Sequence, residues 1–523
     1  MDTLTQESGG CCGSATFYLT AVCLGLVVYL VYKQVFDGEN WEKYGVKHIN
    51  RSRYMFDDLG KAMGRLLVEE GDTVGLSFAG LQLLTRDIDL LRHVLVKDFN
   101  NYVDRTVFIA SNSPVEKGVF FLGGYDWRRI RHVISPSFSS GKIKFVCRYI
   151  DESAIKLGNL LETYARDDQL VPMKHVMSQF TSEIIARTAF SLRTDCLGKK
   201  DDEFLTYSQK MFKIHSKLMN FIMLSMMMFP WLHKFVVKKL KVTLFDSVDE
   251  NADKYFQTVL NSIVEERKLL TSQGKQHYTD LLQNLLLAQQ AGENQTSDGK
   301  STESWDNLPK TMSHEELMGQ VMLIIFAGFD TTASTLQMCF YLLAKHPEID
   351  RKVFEEIEKV VSSDLPTYEE IQQLKYMEQV LNETLRLHPP APIVSRRAAE
   401  TRTYGSITIP KGAGVTIPVD MIMRDPKHYP DPEKFDPDRF TEENVAQRDP
   451  MTFMPFGYGP RQCIGMRLAY IELKYCLVHV LRKVKFELNE RTEPKPDGEI
   501  KTSFQGLVVL DKPIQLAVKA RKL

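Results

Sequence analysis

The sequence predicts a mainly α-helical chain with a small β region, preceded by an N-terminal transmembrane helix. Three observations support this fold class. The segment Ser8–Tyr32 carries no charge, the pattern from residue 86 to about residue 345 is mostly helical, and the C-terminal third mixes helices with short strand-like runs between Pro and Gly turns. A chain of 523 residues without an internal repeat is expected to form two or three domains or one unusually large fold.

Composition excludes several classes of protein. Hydrophobic residues at 43% and charged residues at 25% are typical of globular proteins, so a disordered or collagen-like chain is excluded. The net charge of -1 lacks the positive field that accompanies nucleic-acid binding, and we expect no nucleic-acid partner. Eight cysteines are too sparse for a disulfide framework, which favours a reducing compartment.

The N-terminal segment is long and apolar enough to span a bilayer as an uncleaved anchor. Acidic residues precede it and basic residues follow it, which places the following chain in the cytosol. These residues are Asp2 and Glu7 on one side and Lys33, Lys43, Lys47 and Arg51 on the other. We therefore predict a tail (1–14), an anchor (15–33), a linker (34–72) and a main domain (73–523). A buried N-terminal core helix is the alternative.

Three elements of the main domain can be predicted before the central helix. Thr73–Thr85 has the pattern of a short β-hairpin, and Arg86–Lys97 resumes a helical period. Gln289–Pro309 is rich in polar residues and Gly, which predicts a mobile surface loop.

The longest predicted helix begins at Ser313, where Glu316 completes a capping box, and ends at Lys345. Its length of about 50 Å is enough to cross a large domain. Ala327–Thr332 interrupts its apolar middle with a glycine, and then with a carboxylate and two hydroxyls that need partners when buried: Asp330, Thr331 and Thr332. Local rules that fail in this way indicate a functional segment.

The segment Phe456–Gly465 combines the features of a loop that presents a cysteine to a flat ligand. Gly459 and Gly465 permit open backbone dihedrals and close approach, Arg461 supplies a fixed cation, and Cys463 supplies a sulfur. A thiolate held beneath haem pushes electron density onto the iron and favours O–O cleavage. The alternative is a turn with an ordinary buried cysteine, but its five specified positions would match by chance in roughly one of several thousand chains.

This segment resembles the haem-binding loop of cytochrome P-450 enzymes. The resemblance implies that Cys463 is the axial ligand of the haem iron and that its neighbours in the loop bind the cofactor: Phe456, Gly457, Arg461 and Gly465. Ala327–Thr332 resembles the oxygen-activating stretch of the family's central helix, with Ala327 against the haem and Asp330, Thr331 and Thr332 in catalytic roles.

Three further motifs follow the family order. Trp127 and Arg131 match the Trp-x-x-x-Arg helix that binds a haem propionate. Glu383 and Arg386, on a helix capped near Thr367, match the Glu-x-x-Arg pair, and Arg439 matches the arginine that completes this buried structural network in the family.

The resemblance is closest to microsomal members of the drug-metabolising and thromboxane-synthase-like branch. It implies one large catalytic domain (73–523) around one haem b (iron protoporphyrin IX), on the cytosolic side of the endoplasmic reticulum membrane. It also implies electrons from an NADPH-dependent flavoprotein reductase, with cytochrome b5 as an optional second donor.

Two departures from the family pattern stand out. The first proline of the chain is Pro114, so the usual proline-rich hinge after the anchor is absent. Several relatives carry a propionate-binding arginine at the position of Ile393, and Arg396 is a candidate substitute.

The predicted activity is that of a monooxygenase, which inserts one oxygen atom from O2 into a hydrophobic xenobiotic, steroid or fatty-acid-like molecule. Asp330 and Thr332 would form its proton relay. An isomerase that rearranges peroxides and a non-catalytic haem sensor or carrier are the alternatives; in thromboxane-synthase-like relatives the threonine position is apolar. The predicted pocket walls are 101–118, a Met-rich patch at 219–231, 326–331, 391–394 and 502–506.

Overall fold

The structure is a computed structural model, and the fold is built mainly from helices with four small sheets in the part that it describes. The described residues are 22, 25, 29, 40–50, 53–54, 59–77, 80–106, 111–192, 194, 196–199, 202–211, 235–241, 247–275, 278, 280–293, 308, 311–504 and 506–521. The predicted anchor, apart from three helical positions at 22, 25 and 29, and the Met-rich patch lie outside these residues.

The α-helices are α1 (Leu59–Glu70), α2 (Ile88–Arg92), α3 (Gly124–Ile134), α4 (Ser140–Arg166), α5 (Met173–Phe190), α6 (Glu203–Lys210), α7 (Glu250–Ser272), α8 (Leu281–Glu293), α9 (His314–Lys345), α10 (Pro347–Val360), α11 (Tyr368–Gln373), α12 (Lys375–Leu387), α13 (Val419–Ile422), α14 (Glu442–Ala446) and α15 (Met466–Lys483). Short 3-10 helices occur at Glu42–Tyr44, Phe99–Asn101, Pro114–Lys117, Ser135–Phe138, Pro437–Phe440 and Pro450–Thr452, and π-helical turns at His93–Lys97 and Phe235–Lys239.

The strands are β1 (Thr73–Ser77), β2 (Leu81–Thr85), β3 (Val171–Pro172), β4 (Ile393–Arg397), β5 (Arg402–Tyr404), β6 (Ile407–Ile409), β7 (Gly414–Pro418), β8 (Val484–Glu487), β9 (Thr502–Phe504), β10 (Val508–Leu510) and β11 (Gln515–Ala520). The largest sheet has the order β1-β2-β7-β4, and a second has the order β3-β11-β8. Strands β5 and β6, and β9 and β10, form two separate antiparallel pairs.

The central helix α9 belongs to two hydrophobic cores. Its first half, from Leu317 to Phe329, packs in a core with α7 and α8, whereas its second half, from Ala333, packs in a core with α4, α5, α12 and α15. The segment that breaks the local rules, Ala327–Thr332, therefore lies where one core gives way to the other.

The structure confirms the predicted β-hairpin at Thr73–Thr85 and the predicted start and end of the central helix. Strands β1 and β2 form the expected hairpin with Thr73 opposite Thr85. Helix α9 begins after Ser313, which accepts a hydrogen bond from the Glu316 backbone N–H while the Glu316 carboxylate accepts one from the Ser313 N–H, and it ends at Lys345.

One helix is divided where the sequence predicted continuity. Thr367 does cap a helix, but this is α11, and the chain breaks at Leu374 before α12 carries Glu383 and Arg386. The carboxylate of Glu356 on α10 accepts hydrogen bonds from the backbone N–H groups of Tyr376 (2.7 Å) and Met377 (2.8 Å). A carboxylate from another helix thus caps α12, because these N–H groups have no partner within the helix.

The described part of the predicted linker (34–72) packs on the main domain. The Trp41 side chain is fully buried, and its indole N–H donates to the Leu76 carbonyl at 2.9 Å. Helix α1 contributes Leu66 and Leu67 to a small core beneath β1. The apolar positions of α1, which lie before the boundary predicted at residue 73, are therefore covered by the sheet.

Two further predictions can be placed in the chain. The polar loop predicted from Gln289 begins later, since α8 extends to Glu293; residues 294–307 lie outside the described part. Among described residues, α9 alone is long and apolar enough to span a membrane, and it is mostly buried in the core.

Candidate active site

The loop from Phe456 to Gly465 folds back on itself and presents Cys463. The Cys463 backbone N–H donates to the Phe456 carbonyl at 2.9 Å, and the turn uses left-handed backbone at Gly457 (φ 73°) and Gly459 (φ 77°). A Cβ on Gly459 would lie 2.1 Å from the Leu95 carbonyl oxygen, so only glycine fits there. The expectation for Gly465 is corrected: its φ is −85°, which any residue adopts, and an added Cβ would make only an ordinary contact, 3.9 Å from the Cys463 sulfur.

Cys463 lies three residues before the start of helix α15 at Met466. Burial raises the pKa of its thiol, and the backbone N–H groups of Gly465 and Met466 together with the charges of Arg131 and Arg105 oppose this rise. The side chain nevertheless keeps accessible surface, so it borders open space rather than packing in a core. A thiolate at this position is favoured when a metal cation supplies the remaining counter-charge.

Four arginines converge near Cys463 from four different segments. Arg131 comes from α3, Arg396 from β4 and Arg461 from the cysteine loop, and Arg105 lies in the stretch after Phe99–Asn101. The guanidinium of Arg461 lies 4.6 Å from the centre of the Trp127 ring, and Arg131 donates to the Gln462 carbonyl at 2.9 Å. The structure thus brings Trp127, Arg131 and Arg461 together, as the sequence predicted.

The four guanidinium groups are poorly neutralised by the chain itself. Burial lowers the pKa of Arg461 to about 9 and that of Arg105 to about 10, and it lowers the pKa of Arg396 well below its usual range. Neighbouring arginines reinforce each of these shifts. The Nε atoms of Arg105, Arg396 and Arg461 are buried without a hydrogen-bond partner among the described residues.

This cluster suits a ligand that carries two carboxylates. Buried like charges with unused donors are costly unless an anion completes them. Haem has two propionates on one edge and an iron that takes a thiolate on one face, so the four arginines and Cys463 fit its two kinds of anchoring group.

The central helix turns one narrow face toward accessible space at Ala327 and Thr331. Ala327 is exposed in the middle of an otherwise buried helix, and Thr331, one turn later, donates from its hydroxyl to the Ala327 carbonyl at 2.7 Å. Gly328 lies against α5, where an added Cβ would be 3.2 Å from the Ile185 Cδ1 atom. The glycine therefore permits close packing of α9 on α5.

The predicted pairing of Asp330 with Thr332 is not formed. Asp330 contacts the Lys174 ammonium group of α5, which also donates to the Ser334 hydroxyl at 2.9 Å. Thr332 is buried, and residues two apart on a helix point to different sides. Thr331, which shares a face with Ala327, is partly exposed.

The Glu383–Arg386 pair forms a fully buried network. Two hydrogen bonds of 2.7 and 2.8 Å join the guanidinium to the carboxylate, and both side chains have no solvent exposure. Arg386 also donates to the carbonyls of Met423, Pro432 and Lys434. The Arg439 Nε lies 3.5 Å from Glu383, so the three residues meet as the sequence predicted.

Comparison with known proteins decides the family. The family model described as Cytochrome P450 matches residues 71–518. This chain belongs to the cytochrome P450 family. The family prediction from the sequence is thereby confirmed, and with it haem ligated by a cysteine thiolate and the class of monooxygenase enzymes.

Individual P450 relatives align over most of both chains. "Cytochrome P450 3A41" of Mus musculus is 33% identical over 86% of this chain and 85% of its own length. "Cytochrome P450 3A7" of Homo sapiens is 32% identical over 84% of this chain and 82% of its own. "Probable cytochrome P450 6a14" of Drosophila melanogaster is 30% identical over 91% and 94%.

Sequence reasoning missed two residues of this P450 site. Arg105 belongs to none of the motifs, and only its position in a predicted pocket wall drew attention to its segment. Lys174, the partner of Asp330, begins α5 and is separated from it by 156 residues. The need of a carboxylate in a mostly buried helix for a partner was a signal, but the sequence did not identify the cation.

Proposed function

We propose that this P450 oxygenates hydrophobic small molecules with electrons that an NADPH-dependent flavoprotein reductase supplies. The observation that carries the proposal is the convergence of Cys463 with four incompletely neutralised arginines. The partly exposed Thr331 on the central helix favours oxygenation over a rearrangement, because a rearranging enzyme receives its oxygen already reduced and needs no proton relay.

The residues of the cysteine loop and the arginine cluster hold and orient the cofactor. Arg105, Arg131, Arg396 and Arg461 would hold the propionates, Trp127 packs against Arg461, and Cys463 would supply the thiolate ligand. Haem with a thiolate ligand supplies O2 binding and O–O cleavage. Phe456, Gly457 and Gly465 shape the loop, and Ala327 on the central helix borders accessible space.

Thr331 is proposed as the group that holds a proton at its Oγ1 atom beside the reacting centre. Its hydroxyl donates to the Ala327 carbonyl and can rotate toward a bound molecule. Asp330, about one-third exposed, connects the same helix turn to the surface through Lys174. Thr332 contributes packing, since it is buried.

Apolar side chains with remaining accessible surface support a hydrophobic substrate. They lie on the predicted walls and beside them: Phe120, Phe121, Ile324, Ile393 and Val394. Such walls select by shape and apolar area.

Coupling of NADPH consumption to product tests the oxygenation step. Thr331→Ala should retain haem and substrate binding while electrons are diverted to hydrogen peroxide, which lowers product per NADPH about tenfold. Thr332→Ala is the matched control and should keep wild-type coupling. Unchanged coupling in Thr331→Ala, or turnover of endoperoxides without reductase and no oxygenation with it, would overturn the proposal.

The proposed location is the endoplasmic reticulum membrane, with one N-terminal span and the catalytic domain in the cytosol. The support is the charge asymmetry around residues 15–33. Protease added to sealed microsomes should digest the bulk of the chain, whereas full protection or a glycan on Asn294 would reverse the orientation.

A further inference from the structure

One glutamine ties the chain after the Pro114–Lys117 turn to the central helix. The Gln320 side chain is fully buried on α9, two turns before Ala327. Its amide oxygen accepts from the Val119 N–H at 2.7 Å, and its amide nitrogen donates to the Lys117 carbonyl at 2.6 Å and to the Glu316 carbonyl at 3.0 Å. The side-chain amide therefore pairs with residues 117 and 119 as a peptide group of a neighbouring strand would.

Two glycines bring the two backbones close enough for this pairing. A Cβ on Gly319 would lie 2.5 Å from the Pro114 carbonyl oxygen, and one on Gly118 would lie 2.9 Å from the Leu323 Cδ2 atom. The loop consequently rests directly on α9 without a layer of side chains between them.

The following residues are held from the other side by the arginine cluster. Arg461 donates to the carbonyls of Phe120 (3.4 Å) and Leu122, and the Arg105 guanidinium lies 4.1 Å from the centre of the Phe120 ring. The segment 119–122, which we call the aromatic wall, is thus suspended between Gln320 on the central helix and the arginines that hold the cofactor. Phe120 and Phe121 on it make an edge-to-face contact.

We propose that Gln320 is a positioning residue that sets ligand selectivity by fixing the aromatic wall. It rests on the proposed function, because the ligands concerned are hydrophobic molecules bound beside haem. The amide oxygen and nitrogen of Gln320 both form hydrogen bonds with backbone atoms, so Gln320 acts on a ligand through the wall. Loss of the two loop hydrogen bonds frees the wall while the arginines remain in place.

Azoles of graded size test this role without substrate, NADPH or reductase. Imidazole and 4-phenylimidazole both bind haem iron through a ring nitrogen, but only the phenyl group extends toward a wall. In Gln320→Met, which conserves volume and removes the amide, the dissociation constant of 4-phenylimidazole should rise about fivefold while that of imidazole stays within about twofold.

Gln320→Glu supplies a pH-dependent rescue. A protonated carboxyl offers the same acceptor to Val119 and the same donor to Lys117 as the amide, whereas a carboxylate cannot donate. Burial raises the pKa of a carboxyl. The dissociation constant of 4-phenylimidazole for this variant, divided by that for wild type, should therefore approach one near pH 6 and match the value for Gln320→Met near pH 9. Both pH values hold to about one unit. If Gln320→Met does not fold, the pH dependence of azole binding by Gln320→Glu tests the proposal on its own.

Gln337→Met is the matched control on the same helix. Gln337 is buried, and its Oε1 atom has no hydrogen-bond partner among the described residues, so its replacement should leave both azole affinities unchanged. Equal weakening of both azoles in Gln320→Met, or no change in either, would overturn the inference. The spectrum of the reduced protein with carbon monoxide tests the cofactor assignment. A failure of that assignment would therefore be distinguished from a failure of the role proposed for Gln320.

Discussion

Two groups of buried arginines in this P450 differ in how their charges are completed. Arg386 is fully buried and donates to Glu383 and to three backbone carbonyls. Arg396 is equally buried, but it donates only to its neighbour, the Ser395 carbonyl, and its Nε has no partner in the part of the chain that the structure describes. Arg105 and Arg461 lie near it with the same sign of charge.

This difference separates charges that serve folding from charges that serve a ligand. A buried charge whose partners belong to the chain is neutralised and hydrogen-bonded as soon as the chain folds. A buried cluster of one sign raises the free energy of the folded protein until an anion arrives. On this ground we propose that Glu383, Arg386 and Arg439 stabilise the fold and that the arginine cluster binds the cofactor.

The largest predicted effect is loss of the paired network. Glu383→Gln leaves Arg386 buried without its counter-charge and should destabilise the protein by about 3–5 kcal/mol, enough to prevent accumulation of folded protein. Soluble yield and resistance to proteolysis measure this. The control is Glu358→Gln, which breaks the more exposed pair with Arg482 and should cost about 0–1 kcal/mol. Folded, haem-loaded Glu383→Gln protein of normal stability would contradict the structural assignment.

Removing an arginine from the cluster should stabilise the haem-free protein and destabilise the haem-bound protein. Arg396→Met conserves volume and relieves like-charge repulsion, so the haem-free protein should become more stable by about 1 kcal/mol or more. The haem-bound protein should become less stable, because a propionate contact is lost. Melting temperatures of both forms give the two signs, and equal destabilisation of both would place Arg396 with Arg386 as a structural residue.

A further prediction concerns Glu472, an acid outside both groups that has no ion-pair partner among the described residues. Burial raises the pKa of Glu472 on α15 from 4.5 to about 8. Between these values folding takes up a proton, so this carboxyl lowers stability progressively as pH rises from about 4.5 to about 8. Glu472→Gln should therefore raise the melting temperature at pH 7 by a few degrees, roughly in proportion to the relief of this penalty, and the gain should vanish near pH 4.5. A gain independent of pH would contradict the cause given.

Local signals predicted the elements whose determinants lie close together in the chain. The capping box at Ser313 and Glu316 located the start of α9, and the strand-like pattern of Thr73–Thr85 located the β1–β2 hairpin. The break before α12 was missed because its cause is the Glu356 carboxylate on another helix.

The residues of the site also differ in whether their determinants lie close together in the chain. Cys463, Trp127, Arg131 and Arg461 lie in recognisable motifs and meet as predicted, whereas Arg105 has no motif around it. The pairing of Asp330 with Thr332 failed because proximity in the chain was taken for proximity on the helix surface, where Lys174 takes up the acid.

The absorption spectrum of the reduced protein with carbon monoxide tests the central claim most directly. The claim is that the arginine cluster and Cys463 hold haem through a thiolate. The account predicts a strongly red-shifted Soret band in the wild-type protein, and its loss in Cys463→His with haem retained. A folded, haem-loaded wild-type protein without that band would contradict the claim, as would an unchanged band in the Cys463 variant.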